Sequence, residues 1–193
     1  MFDVGAIVLA AGQGRRMGAD KALLELGDST AVERVVRSCR KGGAQTIVVV
    51  RSEDALPLPP LGDVSTVRVP AGGEMLDSIR AGLASVQGAC RGALVFPVDY
   101  ALVGEATVRA VVTELGAGGE VVLPLFDGRP GHPIGLSQRL FDEVESASGS
   151  LRDVVAADAD RVRVVAVEDA WIGRDLDTPD DLEAARAELR TRP

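Results

Sequence analysis

Cysteine is scarce: Cys39 and Cys90 are the two present in 193 residues. Both lie inside apolar-periodic segments, and no C-x-x-C spacing brings a pair together as a zinc or redox site needs. They read as buried thiols. No apolar run reaches the roughly 18 residues that span a bilayer, and no basic region precedes the apolar stretch at the N-terminus. These absences predict a soluble, cytoplasmic chain. Lysine is nearly missing as well, with Lys21 and Lys41 the exceptions among 21 basic residues, a skew of genome composition rather than of chemistry. The 29 acidic residues leave a net charge of −8, which opposes general binding to nucleic acid or to an anionic membrane. There are no repeats and no low-complexity tail, and glycine and proline are spread without the bias of a disordered chain.

What is present suits one domain over 1–193. A chain of this length buries roughly 70% of its extended surface, and a composition 46% hydrophobic and 26% charged supplies the core without staples. Apolar runs of strand length recur at 4–11, 46–50, 64–69, 93–98, 121–125 and 162–167. Runs buried on both faces suit a parallel sheet. Between them, Val32, Val35, Val36 and Cys39 follow a helical period, as do Val108, Val111, Val112 and Leu115. Strand and helix alternate, which predicts a three-layer α/β/α sandwich with a mostly parallel, Rossmann-like sheet. The proline-rich stretch 56–62 reads as a loop within that alternation. A last helix is expected over 179–189, capped by Thr178, with Pro179 at its first position and Asp180 and Asp181 at the positive end of its dipole.

The sign of charge inverts locally at the segment 9–21, LAAGQGRRMGADK, directly after the first strand. Open α/β sheets place their ligand crevice there. A P-loop is excluded because Gly18 is followed by Ala19 and Lys21 has no hydroxyl neighbour. A dinucleotide fingerprint fails on spacing, since Met17 stands where the third glycine should fall. It fails again about 20 residues on, where a helix replaces the strand-tip acid. The reading the loop's own chemistry favours is a triphosphate cradle, in which glycines expose backbone N–H groups, Arg16 forks two oxygens and Lys21 adds a point charge; a tight strand-to-helix turn with incidental arginines is the bland alternative.

On these residues the segment resembles the L-A-A-G-x-G-x-R-M-G-x-x-K signature of the MobA-like NTP transferases, the molybdenum cofactor nucleotidyltransferase superfamily. Further segments are similar along essentially the whole chain: GGEMLDSIRAGL at 72–83, FPVDYALV at 96–103, GHP at 131–133, SLRDVV at 150–155 and DLDTPDD at 175–181. One departure stands out, since the family usually has proline where this chain has Ala101.

The resemblance implies a fold of the nucleotide-diphospho-sugar transferase type and an Mg²⁺-dependent nucleotidyl transfer. Arg16 and Lys21 would act on the leaving pyrophosphate. Leu9, Ala10, Ala11, Gly12, Gly14, Gly73 and Ser78 would frame the nucleotide. Asp99, after the fourth long strand, and Asp177, two residues before the last helix, both fall at the C-terminal sheet edge, and as hard oxygen ligands would hold Mg²⁺. Capping chemistry is the competing role for Asp177. His132, the only histidine, reads as a structural imidazole ahead of a base, because transfer to a phosphate removes no proton. A contact for the acceptor is the functional role the resemblance leaves for it. Ser78 caps or packs if it does not meet nucleotide, Met75 is core or a flexible pocket wall, and Trp171 is a partly buried surface anchor.

The implied partners are an NTP and a small phosphorylated acceptor, with an acceptor enzyme as a further partner. LAAG at 9–12 and GHP look more like the cytidylyltransferases, so CTP is favoured, with GTP as the other nucleotide and molybdopterin as acceptor. Sugar-phosphate, polyol-phosphate and phospholactate nucleotidyltransferases share the loop, and a non-catalytic nucleotide-binding module that keeps the fold without turnover has Ala101 as its only support.

Overall fold

The computed structural model describes residues 2–12 and 17–191. Gly14 and Arg16, expected in the phosphate cradle, lie outside them. In chain order the described elements are β1 (Val4–Ala10), β2 (Glu25–Leu26), β3 (Ser29–Thr30), α1 (Ala31–Gly42), β4 (Thr46–Ser52), β5 (Ser65–Val69), α2 (Met75–Val86) and β6 (Gly92–Pro97). There follow α3 (Glu105–Gly116), β7 (Val121–Phe126), β8 (Arg129–Pro130), β9 (Ile134–Ser137), α4 (Phe141–Ser146), α5 (Leu151–Ala156), β10 (Val162–Ala166) and α6 (Pro179–Thr191).

The main sheet runs β10-β7-β9-β6-β1-β4-β5, with β8 paired to β7. It is mostly parallel: β6, β1, β4 and β5 run together, β7 and β10 likewise, and β9 is reversed between β6 and β7. Side chains alternate across a strand, and β1 shows the consequence. Val4, Ala6, Val8 and Ala10 join the core layer built with α1 and α3, while Ile7 and Leu9 join the layer built with α2, α4 and α5. Helices therefore flank both faces, as the alternation of strand and helix predicts.

The edges correct one expectation. The runs 64–69 and 162–167 read as buried on both faces, yet β5 and β10 are largely exposed, with Val164 56% accessible. Each has a single neighbouring strand, and burial at a sheet edge is set by sheet order rather than by local composition. Trp171 is a second correction, since it is 6% accessible and belongs to the core. Met75 is 64% accessible at the start of α2, which excludes its core role.

Strand direction places the functional segments. The C-terminal ends of β1, β4, β5 and β6 lie on one edge, so Ala11, Glu53, Pro70 and Val98 all leave the sheet on that side. Close helix packing holds this arrangement. A Cβ on Gly82 of α2 would stand 2.2 Å from Cγ2 of Ile7 in β1. The glycine of the S-I-R-A-G-L segment therefore serves contact between helix and sheet. Gly82→Ala should overpack this contact and cost about 1–3 kcal/mol, lowering the melting temperature by roughly 2–4 °C per kcal/mol at this size. A melting curve like the parent's would show that α2 does not sit this close to β1.

Candidate functional site

β1 is buried to its end, so Leu9 and Ala10 offer a ligand no exposed side chain. Their carbonyls are also engaged: Leu9 O accepts from Val98 N at 2.9 Å, and Ala10 O from Arg51 Nη1 at 3.1 Å. Ala11 and Gly12 lie past the strand. With Asp20, Arg51, Ser52, Asp54, Ala55 and Leu56 they line a cavity of about 370 Å³. Gly73 is exposed ahead of α2, whereas Ser78 is buried in its interior. Glu74 occupies the cap position of α2, which leaves packing rather than capping as the local role of Ser78.

Lys21 opens a short 3₁₀ turn whose cap is Asp20, the carboxylate accepting from Ala22 N at 3.1 Å. Its ammonium lies 3.2 Å from Asp99 Oδ2 and 2.5 Å from Asp177 Oδ1. The residue expected at the phosphates thus joins the two expected metal ligands. Burial works against the charge on Lys21, but the hydrogen bond to Asp177 and the field of Asp99 outweigh it and raise the pKa above that of a free lysine. Mutual repulsion between Asp99 and Asp177 is accordingly offset in the free protein.

A third acid completes the cluster. Oxygens of Asp99, Asp175 and Asp177 all lie within 4.8 Å of one another. In the sequence Asp175 is one of several acids near a helix start. Its signal is the D-L-D alternation, which buries Leu176 in the core and turns the flanking residues the other way. The segment is pinned from both sides: Leu176 N donates to Asp99 O at 3.0 Å, and Asp177 N to Asp181 Oδ2 at 3.2 Å. Asp181 also accepts from Thr178 N and Thr178 Oγ1 at the start of α6. Capping thus falls to Thr178 and Asp181, and the Asp177 carboxylate meets Lys21 in the cluster. Asp99 Oδ1 is buried and has no partner among the described residues. An orphaned carboxylate oxygen beside two more carboxylates fits a hard divalent cation.

Ala101 does not disturb the turn after Asp99. Tyr100 N donates to Pro97 O and Val103 N to Tyr100 O, so neither closing bond uses the N–H that a proline would lack. The Tyr100 ring lies 4.3 Å from that of His132. Burial first, then the charges of Asp175, Asp99 and Asp177, push the phenol up to about 12, so it stays protonated. His132 N donates to Ile172 O at 2.8 Å, and its Nδ1 is buried without a partner among the described residues. Burial pushes the imidazole down to about 4, against a hydrogen bond to the Val95 backbone and the charge of Asp175. The ring is therefore neutral near pH 7.

Comparison with known proteins follows this geometry. The MobA-like NTP transferase domain matches residues 6–164. A protein of Opitutus terrae named probable molybdenum cofactor guanylyltransferase is 52% identical over 44 residues, a match spanning 23% of this chain and 22% of that protein. The structure of Rv0371c from Mycobacterium tuberculosis is 25% identical over 96% of this chain and 98% of that one, with a TM-score of 0.82. A further structure of Rv0371c is described as a complex with manganese. The 4-diphosphocytidyl-2C-methyl-D-erythritol synthase of Anaerococcus prevotii shares the fold, with a TM-score of 0.75 at 15% identity over 98% of this chain and 96% of that one. Among the described residues no helix is long and apolar enough to cross a membrane.

The neutral His132 makes a pH prediction. A histidine in an unfolded chain titrates near 6.5, and this one is held neutral down to about pH 4. Its contribution to stability is complete above pH 6.5 and is lost as pH falls toward 4, a term on the order of 3 kcal/mol. Melting curves of the parent should therefore drop more steeply over that interval than those of His132→Gln. Equal slopes would mean that the imidazole charges freely in the folded state.

Proposed function

The chain belongs to the MobA-like NTP transferase family, and we propose that 1–193 acts as one nucleotidyltransferase domain that moves an NMP from an NTP to a phosphorylated acceptor. The observation that carries this reading is the meeting of Lys21 with Asp99 and Asp177 at the sheet edge where the glycine-rich segment leaves β1. An acceptor phosphate oxygen attacks the α-phosphorus in line, the bond from that phosphorus to the bridging oxygen breaks, and pyrophosphate leaves. Asp99, Asp177 and Asp175 would hold a divalent cation, Mg²⁺ in this reading, which when bound neutralises charge on the phosphates. Lys21 and Arg16 stabilise negative charge growing on the leaving group, the first as a point charge and the second as a planar fork. Ala10 to Gly12, Gly14, Gly73 and Ser78 frame the nucleotide.

His132 belongs on the acceptor side. The attacking phosphate oxygen is already anionic, so no base is required. A neutral imidazole beside a protonated Tyr100 offers hydrogen bonds there without adding charge. CTP is the preferred nucleotide on the strength of LAAG and GHP, with a molybdopterin acceptor. GTP is the second reading, favoured by the name of the Opitutus terrae relative. A sugar- or polyol-phosphate acceptor keeps the same chemistry.

Thermal shift with CTP, GTP, ATP and UTP, each with Mg²⁺ or Mn²⁺, tests nucleotide choice, and pyrophosphate release with candidate acceptors tests turnover. CTP should shift the melting temperature most, and release should require the divalent ion. Lys21→Ala should cut the rate on the order of 10²- to 10³-fold, as loss of one preorganised donor does. Equal shifts for all four nucleotides would remove the cytidylyl preference. Binding without release for every acceptor would make the chain a nucleotide-binding module.

A further inference from the structure

Arg51, the last residue but one of β4, has no accessible surface. A buried arginine costs desolvation that an apolar residue of similar volume would avoid, so its presence calls for a use other than bulk stability. Its bonds show one. Nη1 donates to Ala10 O at 3.1 Å and to Asp20 Oδ1 at 2.9 Å, while Nη2 donates to Asp20 Oδ2 at 2.7 Å and to Leu56 O at 2.7 Å. Ala10 is where the glycine-rich segment leaves the sheet, and Asp20 is where it ends against Lys21. A single guanidinium thus grips both flanks and joins them to the proline-rich loop that walls the adjoining cavity. Asp20 in turn caps the 3₁₀ turn on which Lys21 stands.

We infer that Arg51 is a positioning residue: by holding Ala10 and Asp20 at a fixed separation it fixes the two described flanks of the glycine-rich segment and the place of the Lys21 ammonium. The inference rests on the nucleotidyl-transfer reading for its consequence but not for its geometry. Arginine is required because its planar fork meets both Asp20 oxygens while still reaching two backbone carbonyls. Lysine keeps the charge and loses the fork.

Two measurements separate the clamp from its consequence. Amide hydrogen exchange in the ligand-free protein reads the clamp at Ala22, Leu23 and Leu24, whose N–H groups are bonded within the turn that begins at Asp20. Arg51→Gln and Arg51→Lys should speed exchange over 17–26 while α3 keeps the parent's protection. Equilibrium titration with CTP and with GTP, each with Mg²⁺, should then show affinity falling about 10- to 100-fold, the usual cost of losing a supporting partner behind a binding group. Should the Arg51 variants fail to fold, Asp20→Asn takes their place, because asparagine still caps the turn but gives up the paired charge. Unchanged exchange over 17–26 overturns the clamp. Faster exchange with the parent's affinity confines Arg51 to stability and overturns the positioning role. If the parent binds neither triphosphate, the functional reading has failed, and the exchange result alone decides the clamp.

Discussion

Three carboxylates whose oxygens lie within 4.8 Å of one another repel unless positive charge sits among them, and much of the surrounding architecture answers that requirement. Asp99 arrives at the end of β6, while Asp175 and Asp177 arrive on the segment before α6, so no local stretch of chain supplies the neutralising group. Lys21 does, from the far end of the glycine-rich segment. Burial works against its charge, but the hydrogen bond to Asp177 and the field of Asp99 outweigh that and hold its pKa above that of a free lysine. Removing either partner leaves the other's charge uncompensated, which is why a change to one carboxylate is felt first as a lost ion pair and only then as relief of repulsion.

That ion pair depends on placement, and placement comes from the sheet. With β6, β1, β4 and β5 parallel, four consecutive strand ends deliver their loops to one side. The core enforces the direction. β1 is buried on both faces and alternates its side chains between two apolar layers, so slipping its register by one residue would exchange the layers. Gly82 lets α2 approach β1 closely enough to fill one of them. Arg51 extends the same logic from core to site, since it is fully buried near the C-terminal end of β4 and directs its hydrogen bonds to the flanks of the glycine-rich segment.

Much of this was legible in the sequence. Each long apolar run became a strand within a residue or two, because a short apolar run is a local signature that holds even for the exposed edge strands β5 and β10. The start of α6 was legible for the same reason, since Thr178, Pro179 and Asp181 act within four residues of one another. Three things were not. The reversed β9 between β6 and β7 reflects sheet order, which local composition does not encode. Trp171 reads as a surface anchor beside charged residues, yet it packs into the core and Arg174 stacks on it at 5.4 Å. Arg51 is a lone charge after an apolar run, and its partner Asp20 is 31 positions away, so nothing nearby in the sequence explains it. Asp175 lies between these cases: its alternation with Asp177 was visible, but the cluster that gives it meaning exists only once Asp99 is folded beside it.

The distribution of unmet polar atoms adds a last constraint on the functional reading. Asp99 Oδ1 and His132 Nδ1 are both buried and lack partners among the described residues, and a group left so costs about 1–3 kcal/mol. Tyr100 lies between them, adjacent to Asp99 in sequence and 4.3 Å from His132 ring to ring. Two such costs converging on one short stretch of the site make sense if ligands supply the missing partners. Their chemistry differs in the way the proposed transfer needs. The oxygen is an acceptor set among carboxylates and calls for a cation, whereas the nitrogen belongs to a ring kept neutral by burial and calls for an uncharged hydrogen bond.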